Sequence, residues 1–153
     1  MAEFLIFMVA GRQFGIPVPV ADHVVRMVEI TGVSAAPEAV AGIINYHGTI
    51  IPVFSLRARF LLPDRSPDPA DLLIVTSTTR RKAALIADQV IGVSDISEDF
   101  IDADSVLPGM TGVHGLVKTA EGMILITDPD QFLLPDEEET LSTVLNRQTG
   151  GKA

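Results

Sequence analysis

The chain has 153 residues, of which 47% are apolar and 5% aromatic, so it can bury an aliphatic core as one domain or as two small subdomains. Its formal net charge of -9 repels phosphate backbones and anionic membrane surfaces, which argues against nucleic acid as a partner. It contains no cysteine, which excludes disulfides and thiolate metal sites.

We expect neither an export signal nor a membrane-spanning helix in this sequence. It begins Met-Ala-Glu-Phe, without the charged-then-apolar pattern of a signal peptide. No apolar run approaches the roughly 20 residues that a membrane helix needs. We therefore expect a soluble, intracellular protein with no direct membrane insertion.

The first part of the chain alternates short apolar runs with turns. Residues 3–9 and the strand that begins at 14–16 predict a hairpin. Pro17 and Pro19 then end regular pairing, because proline has no N–H group to donate to a ladder. A second extended run covers 24–30, and the chain so far is typical of β structure.

Residues 35–42 predict a short helix. Pro37 suits the first helical position, Glu38 suits the positive end of the helix dipole, and Gly42 suits the end of the helix.

The stretch 42–57 reads as strand, tight polar turn and strand. Gly42 and Gly48 tolerate backbone angles that other residues resist, and Asn45 can hydrogen-bond its own backbone to hold the turn. The dense apolar run at 50–56 suits a strand that is buried on both faces. We interpret the turn as an element that is presented to a protein partner.

The rest of the chain continues as short strands. Residues 61–71 hold three prolines and predict a loop, which is the best candidate for a seam between two halves. The remaining predicted elements are strands at 72–77, 83–87, 90–96, 113–117 and 123–127, an irregular segment at 99–112, a helical turn at 128–134, a helix from 136 and a frayed end from about 148. Many short strands with Gly and Pro turns predict an all-β sandwich or barrel.

With these segments in place, the chain resembles the CheW family of chemotaxis coupling proteins over roughly residues 3–134. The opening runs 3–7 and 14–18 resemble the first hairpin of the family. The signature block, which in the family passes through an Asn-x-Arg-Gly turn, is matched by Pro37, Val40, Gly42, Ile43, Asn45, Gly48, Ile51, Pro52, Val53, Leu56 and Arg57. Further matches are Asp88, Val90, Val93, Gly115, the run 123–125, Asp128 and the pair 132–133.

The resemblance implies two small five-stranded SH3-like β-barrel subdomains packed side by side, with short helical turns. It implies a CheW-like domain over 1–135 with an intervening loop near 61–71, followed by a C-terminal helix and frayed tail over 136–153. It also implies a protein without catalysis or cofactor. Such proteins are cytoplasmic scaffolds that couple the cytoplasmic tip of a chemoreceptor to the regulatory domain of a CheA-type histidine kinase, in arrays beneath the membrane.

The sequence departs from the family pattern at three polar positions. His47 stands where the signature has Arg, His23 stands where the family commonly has Glu, and Ser55 stands where the usual residue is Asp. The Arg and the Glu of the family tend to form a surface ion pair. The functional hypothesis is that His23 and His47 are neighbours on the partner surface, where a His–His contact replaces the ion pair; the alternative is two unrelated surface histidines. Unlike Arg, His is mostly neutral at pH 7.

Four more residues are candidates for partner contact by resemblance. Asn45 and Gly48 are contact residues, turn residues or both. Val18 and Ile50 line a groove between the barrels or belong to the ordinary core.

Three alternative functions differ in the support that the sequence gives them. A metal site that adds His114 to the other two histidines lacks ligand spacing. A small hydrolase is opposed by the absence of a nucleophile elbow, metal-ligand spacing and a Gly-rich phosphate loop. A divergent adaptor of the same fold, in surface motility or second-messenger control, is favoured only by His23 and His47.

Overall fold

A computed structural model describes residues 3–96, 100–102, 113–119 and 122–149 of the chain. Its strands are β1 (Glu3–Val9), β2 (Arg12–Pro17), β3 (Ala21–Arg26), β4 (Val40–Tyr46), β5 (Thr49–Phe54), β6 (Leu72–Ser77), β7 (Lys82–Ala87), β8 (Gln89–Asp95), β9 (Phe100–Asp102), β10 (Val113–Thr119) and β11 (Gly122–Thr127). The helices are α1 (Leu56–Arg59) and α2 (Pro135–Thr149), with 3₁₀ turns at Val18–Val20 and Pro129–Gln131. The expected mostly-β fold is confirmed.

The strands form two sheets. The first sheet has six described strands in the order β8-β1-β2-β11-β10-β9, and the second has five in the order β3-β6-β7-β5-β4. Neighbours are antiparallel except β2 with β11 and β5 with β7, which are parallel. The second sheet is therefore built from consecutive strands that are inserted between β2 and β8 of the first.

The chain passes between the sheets at places that differ from the predicted seam. It crosses at the 3₁₀ turn Val18–Val20 and returns at Asp88, between β7 and β8. The segment 61–71 joins α1 to β6 within the second sheet. Proline content marked it correctly as a loop but carried no information about which strands pair across it.

An apolar core lies between the sheets. It joins Leu5, Phe7, Phe14 and Ile16 of the first sheet to Phe54, Ile74 and Leu85 of the second. Each sheet has a second buried cluster, formed by Phe4, Ile6, Val117, Ile124 and Ile126 in the first and by Ile44, Ile51, Val53, Leu73, Val75 and Ala84 in the second. Because successive strand residues point to opposite faces, β1 and β5 are buried on both faces, as their dense apolar sequences predict.

The two edge strands of the second sheet approach each other. Thr31, which follows β3, exchanges two backbone hydrogen bonds of 2.9 Å with Ile43 of β4. Among the described strands, neither sheet is closed into a barrel by a continuous ladder of hydrogen bonds. The first sheet has six described strands, one more than expected. The architecture of two β units is confirmed, and the closed SH3-like barrel stays a prediction.

The predicted helix at 35–42 is wrong. Residues 34–35 and 38–39 form turns, and β4 begins at Val40. Ala35 has a φ of 69°, which no right-handed helix accommodates. Pairing of Val40 with Phe54 across the hairpin then fixes the end of this segment as strand.

The C-terminal helix packs on the body of the protein. Leu141 and Val144 of α2 are buried, and Leu141 belongs to the core between the sheets. Ion pairs join Glu137 to Arg59 and Glu138 to Arg81. Most of the predicted irregular segment at 99–112 and the last residues of the predicted frayed end lie outside the described residues.

Candidate functional site

The turn between β4 and β5 is a two-residue hairpin loop, His47-Gly48. Their φ values of 51° and 88° are both positive, as the type I′ turn of a two-residue hairpin requires. The Oδ1 atom of Asn45 accepts a 2.8 Å hydrogen bond from the backbone N–H of Gly48. The predicted turn and the predicted role of Asn45 in holding it are confirmed.

Tyr46 connects the two histidines. Its hydroxyl lies 3.0 Å from Nδ1 of His23 on β3, at hydrogen-bonding distance. Its ring meets the ring of His47 edge-on, with 4.4 Å between the centroids. We call these three residues the histidine–tyrosine cluster. The hypothesis of a His–His contact missed Tyr46, which contacts both rings. Tyr46 is the single tyrosine of the chain and directly precedes His47.

The structure gathers most of the candidate contact residues at this end of the second sheet. His23, Asn45, His47 and Gly48 are exposed. Ile50 is half-buried and pairs with Asn45 across the hairpin, so both side chains lie on the same face.

Val18 lies apart from the hairpin tip. It is half-buried in the 3₁₀ turn through which the chain passes from the first sheet to the second.

A charged residue lies beside the cluster on β3. Asp22 accepts hydrogen bonds from Nζ of Lys82 at 2.6 Å and from Oγ of Ser77 at 2.5 Å. The bond from Lys82, followed by that from Ser77, holds the pKa of Asp22 below its ordinary value, although burial opposes this. The carboxylate is therefore ionised at neutral pH.

A second polar network lies at the opposite end of the hairpin. Arg57 donates a 2.6 Å hydrogen bond to Asp88, and Arg65 donates to both Asp88 at 3.0 Å and Asp71 at 2.8 Å. Asp88 also accepts the backbone N–H of Ala10. We call Arg57, Arg65, Asp71 and Asp88 the arginine–aspartate network. Arg57 and Asp88, which belong to separate blocks of the resemblance, are thus direct partners.

Asp71 is the buried member of this network, with 3% of its surface exposed. Burial alone would raise its pKa, but the hydrogen bonds from Arg65 and from the backbone N–H of Asp68, with the charges of Arg65 and Arg57, lower the pKa below its ordinary value. Asp71 therefore stabilises the fold in its ionised form.

This shift predicts how stability depends on pH. Because the folded-state pKa is depressed, the contribution of Asp71 is complete above the unfolded value of about 3.9 and is lost as pH falls through the folded value. The variant Asp71→Asn should lose about 1–3 kcal/mol of unfolding free energy at pH 7 and progressively less below pH 4. Urea unfolding of both proteins between pH 7 and pH 3 measures the difference; a difference independent of pH would contradict the assignment.

Within the described part of the chain, no group of three or more His, Cys, Asp or Glu side chains could hold a metal ion. No helix in that part is long and apolar enough to cross a membrane.

Comparison with known proteins places the chain in a family. The family model of the CheW-like domain matches residues 3–136. The chain belongs to the CheW-like family. The match covers both sheets, the histidine–tyrosine cluster and the arginine–aspartate network.

Three relatives illustrate this membership. The chemotaxis protein CheW of Klebsiella aerogenes is 25% identical, over 93% of this chain and 87% of its own. The chemotaxis protein CheA of Halobacterium salinarum is 24% identical over 75% of this chain, which corresponds to 16% of CheA. The crystal structure of the scaffolding protein TtCheW from Thermoanaerobacter tengcongensis superposes with a TM-score of 0.77 and 30% identity, and covers 88% of this chain and 89% of its own.

Proposed function

We propose that this CheW-like protein is a non-enzymatic adaptor that couples the cytoplasmic tips of chemoreceptors to the regulatory domain of a CheA-type histidine kinase. The observation that carries the proposal is the similarity of fold and sequence to TtCheW, a protein described as a scaffold. The similarity to a segment of a CheA adds a reason for kinase pairing. Two partners that share a fold can offer related surfaces to each other and alternate in an assembly. The protein would then work in the cytoplasm, at receptor arrays beneath the membrane.

The partner surface in this proposal is the exposed end of the second sheet. His23, Asn45, His47 and Gly48 contribute its polar part. The surface is rigid, because the type I′ turn is fixed by Asn45 and continues into strands that are buried on both faces. A rigid surface loses little conformational entropy on binding.

Tyr46 and Ile50 give this surface its apolar character. Tyr46 is a half-buried aromatic anchor, with one end in the core of the second sheet and its hydroxyl at the surface. Ile50, half-buried opposite Asn45, would extend the contact at the hairpin, and half-buried Val18 would make a separate contact at the 3₁₀ turn.

Reconstitution with purified components tests the proposal. Receptor signalling fragments and a CheA-type kinase from the same cell should sediment as one complex when this protein is present, and kinase activity should become dependent on the receptor. The variant Asn45→Ala/Tyr46→Ala should reduce both effects. A kinase that responds equally to receptor with and without the protein would contradict the coupling role.

The two histidines predict a further effect on kinase binding. Both rings lie against Tyr46 at the proposed partner surface, so His23→Gln/His47→Gln removes two of the three members of the histidine–tyrosine cluster. Binding of the kinase regulatory domain should therefore weaken several-fold. Titration calorimetry at constant pH measures this; an unchanged affinity would contradict the hypothesis that the histidines belong to the partner surface.

The alternative is a CheW-like adaptor in surface motility or second-messenger control. His23 and His47 are the feature that favours it, because the resemblance leads us to expect Glu and Arg there. The chemotaxis proteins among the relatives favour the main proposal. A pull-down with the regulatory domain of the chemotaxis kinase separates the two: the main proposal requires capture and the alternative requires its absence.

A further inference from the structure

A cleft of about 520 Å³ opens at the end of the second sheet that is opposite the histidine–tyrosine cluster. The β4–β5 hairpin runs from the pair Val40–Phe54 beside the cleft to the pair Tyr46–Thr49 at the cluster. At about 3.3 Å per residue, these two ends lie about 20 Å apart. The cleft is thus a separate surface, and its volume is within the range of about 300–1,000 Å³ that is typical of ligand pockets.

The walls of the cleft are largely apolar. They come from the end of β1, from α1, from the 61–71 segment and from β7, with Val9, Leu56, Ala58, Leu62 and Ile86 among the lining residues. These residues lie far apart in the sequence, so the cleft is a product of the fold and not of one local motif.

The rim of the cleft carries uncompensated negative charge. Arg57 and Arg65 line it, but the carboxylates of Asp88 and Asp71 neutralise them within the arginine–aspartate network. Two further lining residues, Glu38 and Asp64, are exposed. Neither carboxylate is hydrogen-bonded or ion-paired within the described residues, so both are available to a positively charged ligand.

Leu61 stands at the rim with 89% of its surface exposed. Its φ of 54° is unusual for a residue with a side chain, and such strain is retained only where the surroundings impose it. The surroundings are α1: the Leu62 N–H donates to the Arg57 carbonyl at 2.8 Å, and the Arg57 guanidinium donates to the Pro63 carbonyl at 2.7 Å. The fold thus holds a large apolar side chain in solvent beside an apolar cleft.

We propose that this cleft is a second docking site, for a segment of a partner protein that presents an apolar side chain beside a lysine or arginine. The apolar side chain would enter the cleft and contact Leu61, and the cation would lie between Glu38 and Asp64. Charge complementarity selects this occupant over a second copy of the chain, whose net charge is -9. The site is independent of kinase binding at the histidine–tyrosine cluster.

Fluorescence anisotropy with a labelled model peptide tests the proposal on the full-length protein. The probe is a peptide of about 12 residues that repeats Leu and Arg at helical spacing, which is about 18 Å long as a helix. Matched peptides replace every Arg with Glu or every Leu with Ser. The Leu–Arg peptide should bind, both matched peptides should bind at least about tenfold more weakly, and salt should weaken binding.

Variants distinguish this site from general attraction to an acidic protein. Glu38→Gln/Asp64→Asn should weaken binding of the Leu–Arg peptide about tenfold, and Leu61→Ser several-fold. Glu29→Gln/Glu139→Gln removes the same charge from exposed positions outside the cleft, and it should leave affinity within about twofold of wild type. His47→Gln should also leave it unchanged. Equal losses in the two acidic pairs, or no measurable binding by wild type, would overturn the proposal.

Discussion

Replacing Gly42 with alanine is expected to destabilise the protein by about 3 kcal/mol, because the residue lies where two edge strands meet. Its φ of 156° is rarely adopted by residues with a side chain. A Cβ atom there would stand 2.3 Å from the carbonyl oxygen of Thr31 and 2.8 Å from Cγ2 of Ile30. The Thr31 carbonyl is backbone in the bridge to Ile43, so it cannot move without breaking that bridge.

Gly32 provides the control for this substitution. It lies beside the same bridge, but a Cβ atom there would meet nothing within 4 Å. Gly32→Ala should change the unfolding free energy by less than about 0.5 kcal/mol. Urea unfolding measures both variants, and equal stabilities of Gly42→Ala and Gly32→Ala would refute the steric account.

The bridge also links stability to the proposed partner surface. It holds β4 against the segment after β3, and the contact of Tyr46 with His23 spans the same two strands. Gly42→Ala should therefore weaken binding of the kinase regulatory domain even under conditions in which the variant remains folded.

Replacing Phe132 with alanine is expected to cost about 3–5 kcal/mol, the usual range for emptying a buried phenylalanine site. Phe132 is fully buried, and its ring stacks on that of Phe54 with a centroid distance of 4.7 Å and an interplanar angle of 2°. The guanidinium of Arg59 lies 5.6 Å from the ring centroid. The substitution removes contacts to the core between the sheets at the point where the chain leaves the first sheet for α2.

The neighbouring substitution Gln131→Ala serves as the control. Gln131 is exposed, so its replacement should change the unfolding free energy by less than about 0.5 kcal/mol. Phe132→Ala should also make α2 more sensitive to protease at temperatures where the sheets remain folded. Calorimetric unfolding and limited proteolysis measure these effects. A loss below about 1 kcal/mol for Phe132→Ala would show that this ring does not anchor the C-terminal region.

Local signals were sufficient for the hairpins. The apolar runs at 72–77 and 83–87 predicted β6 and β7, and the Gly-bounded polar turn predicted the β4–β5 hairpin, because antiparallel neighbours joined by short loops depend on residues close in sequence. The helix predicted at 35–42 was wrong because it also rested on local signals alone. Pro37 and Gly42 are local helix signals, but Gly42 is required by a bridge to a distant backbone.

Long-range pairing could not be predicted from the sequence. The parallel contacts of β2 with β11 and of β5 with β7 decide which strands share a sheet, and they join segments separated by many residues. The predicted seam at 61–71 was misplaced because the insertion of β3 to β7 into the first sheet leaves no compositional mark. The cleft could not be predicted from the sequence either, because its lining residues lie far apart in the sequence and come together only in the folded chain.

The candidate site was predicted in part. The resemblance named His23 and His47 as departures from a common pattern, and the fold brings both against Tyr46. That contact depends on how far the edge strands curl towards each other, which the residue pattern of one strand does not specify.

The most direct measurement of the central claim is titration calorimetry of this protein with the isolated regulatory domain of a CheA-type kinase from the same cell. Our account predicts a saturable one-to-one complex at pH 8 that Tyr46→Ala/His47→Ala weakens at least about tenfold, while Glu38→Gln/Asp64→Asn leaves it unchanged. The absence of a complex, or a complex that is indifferent to the Tyr46 and His47 substitutions, would contradict the account.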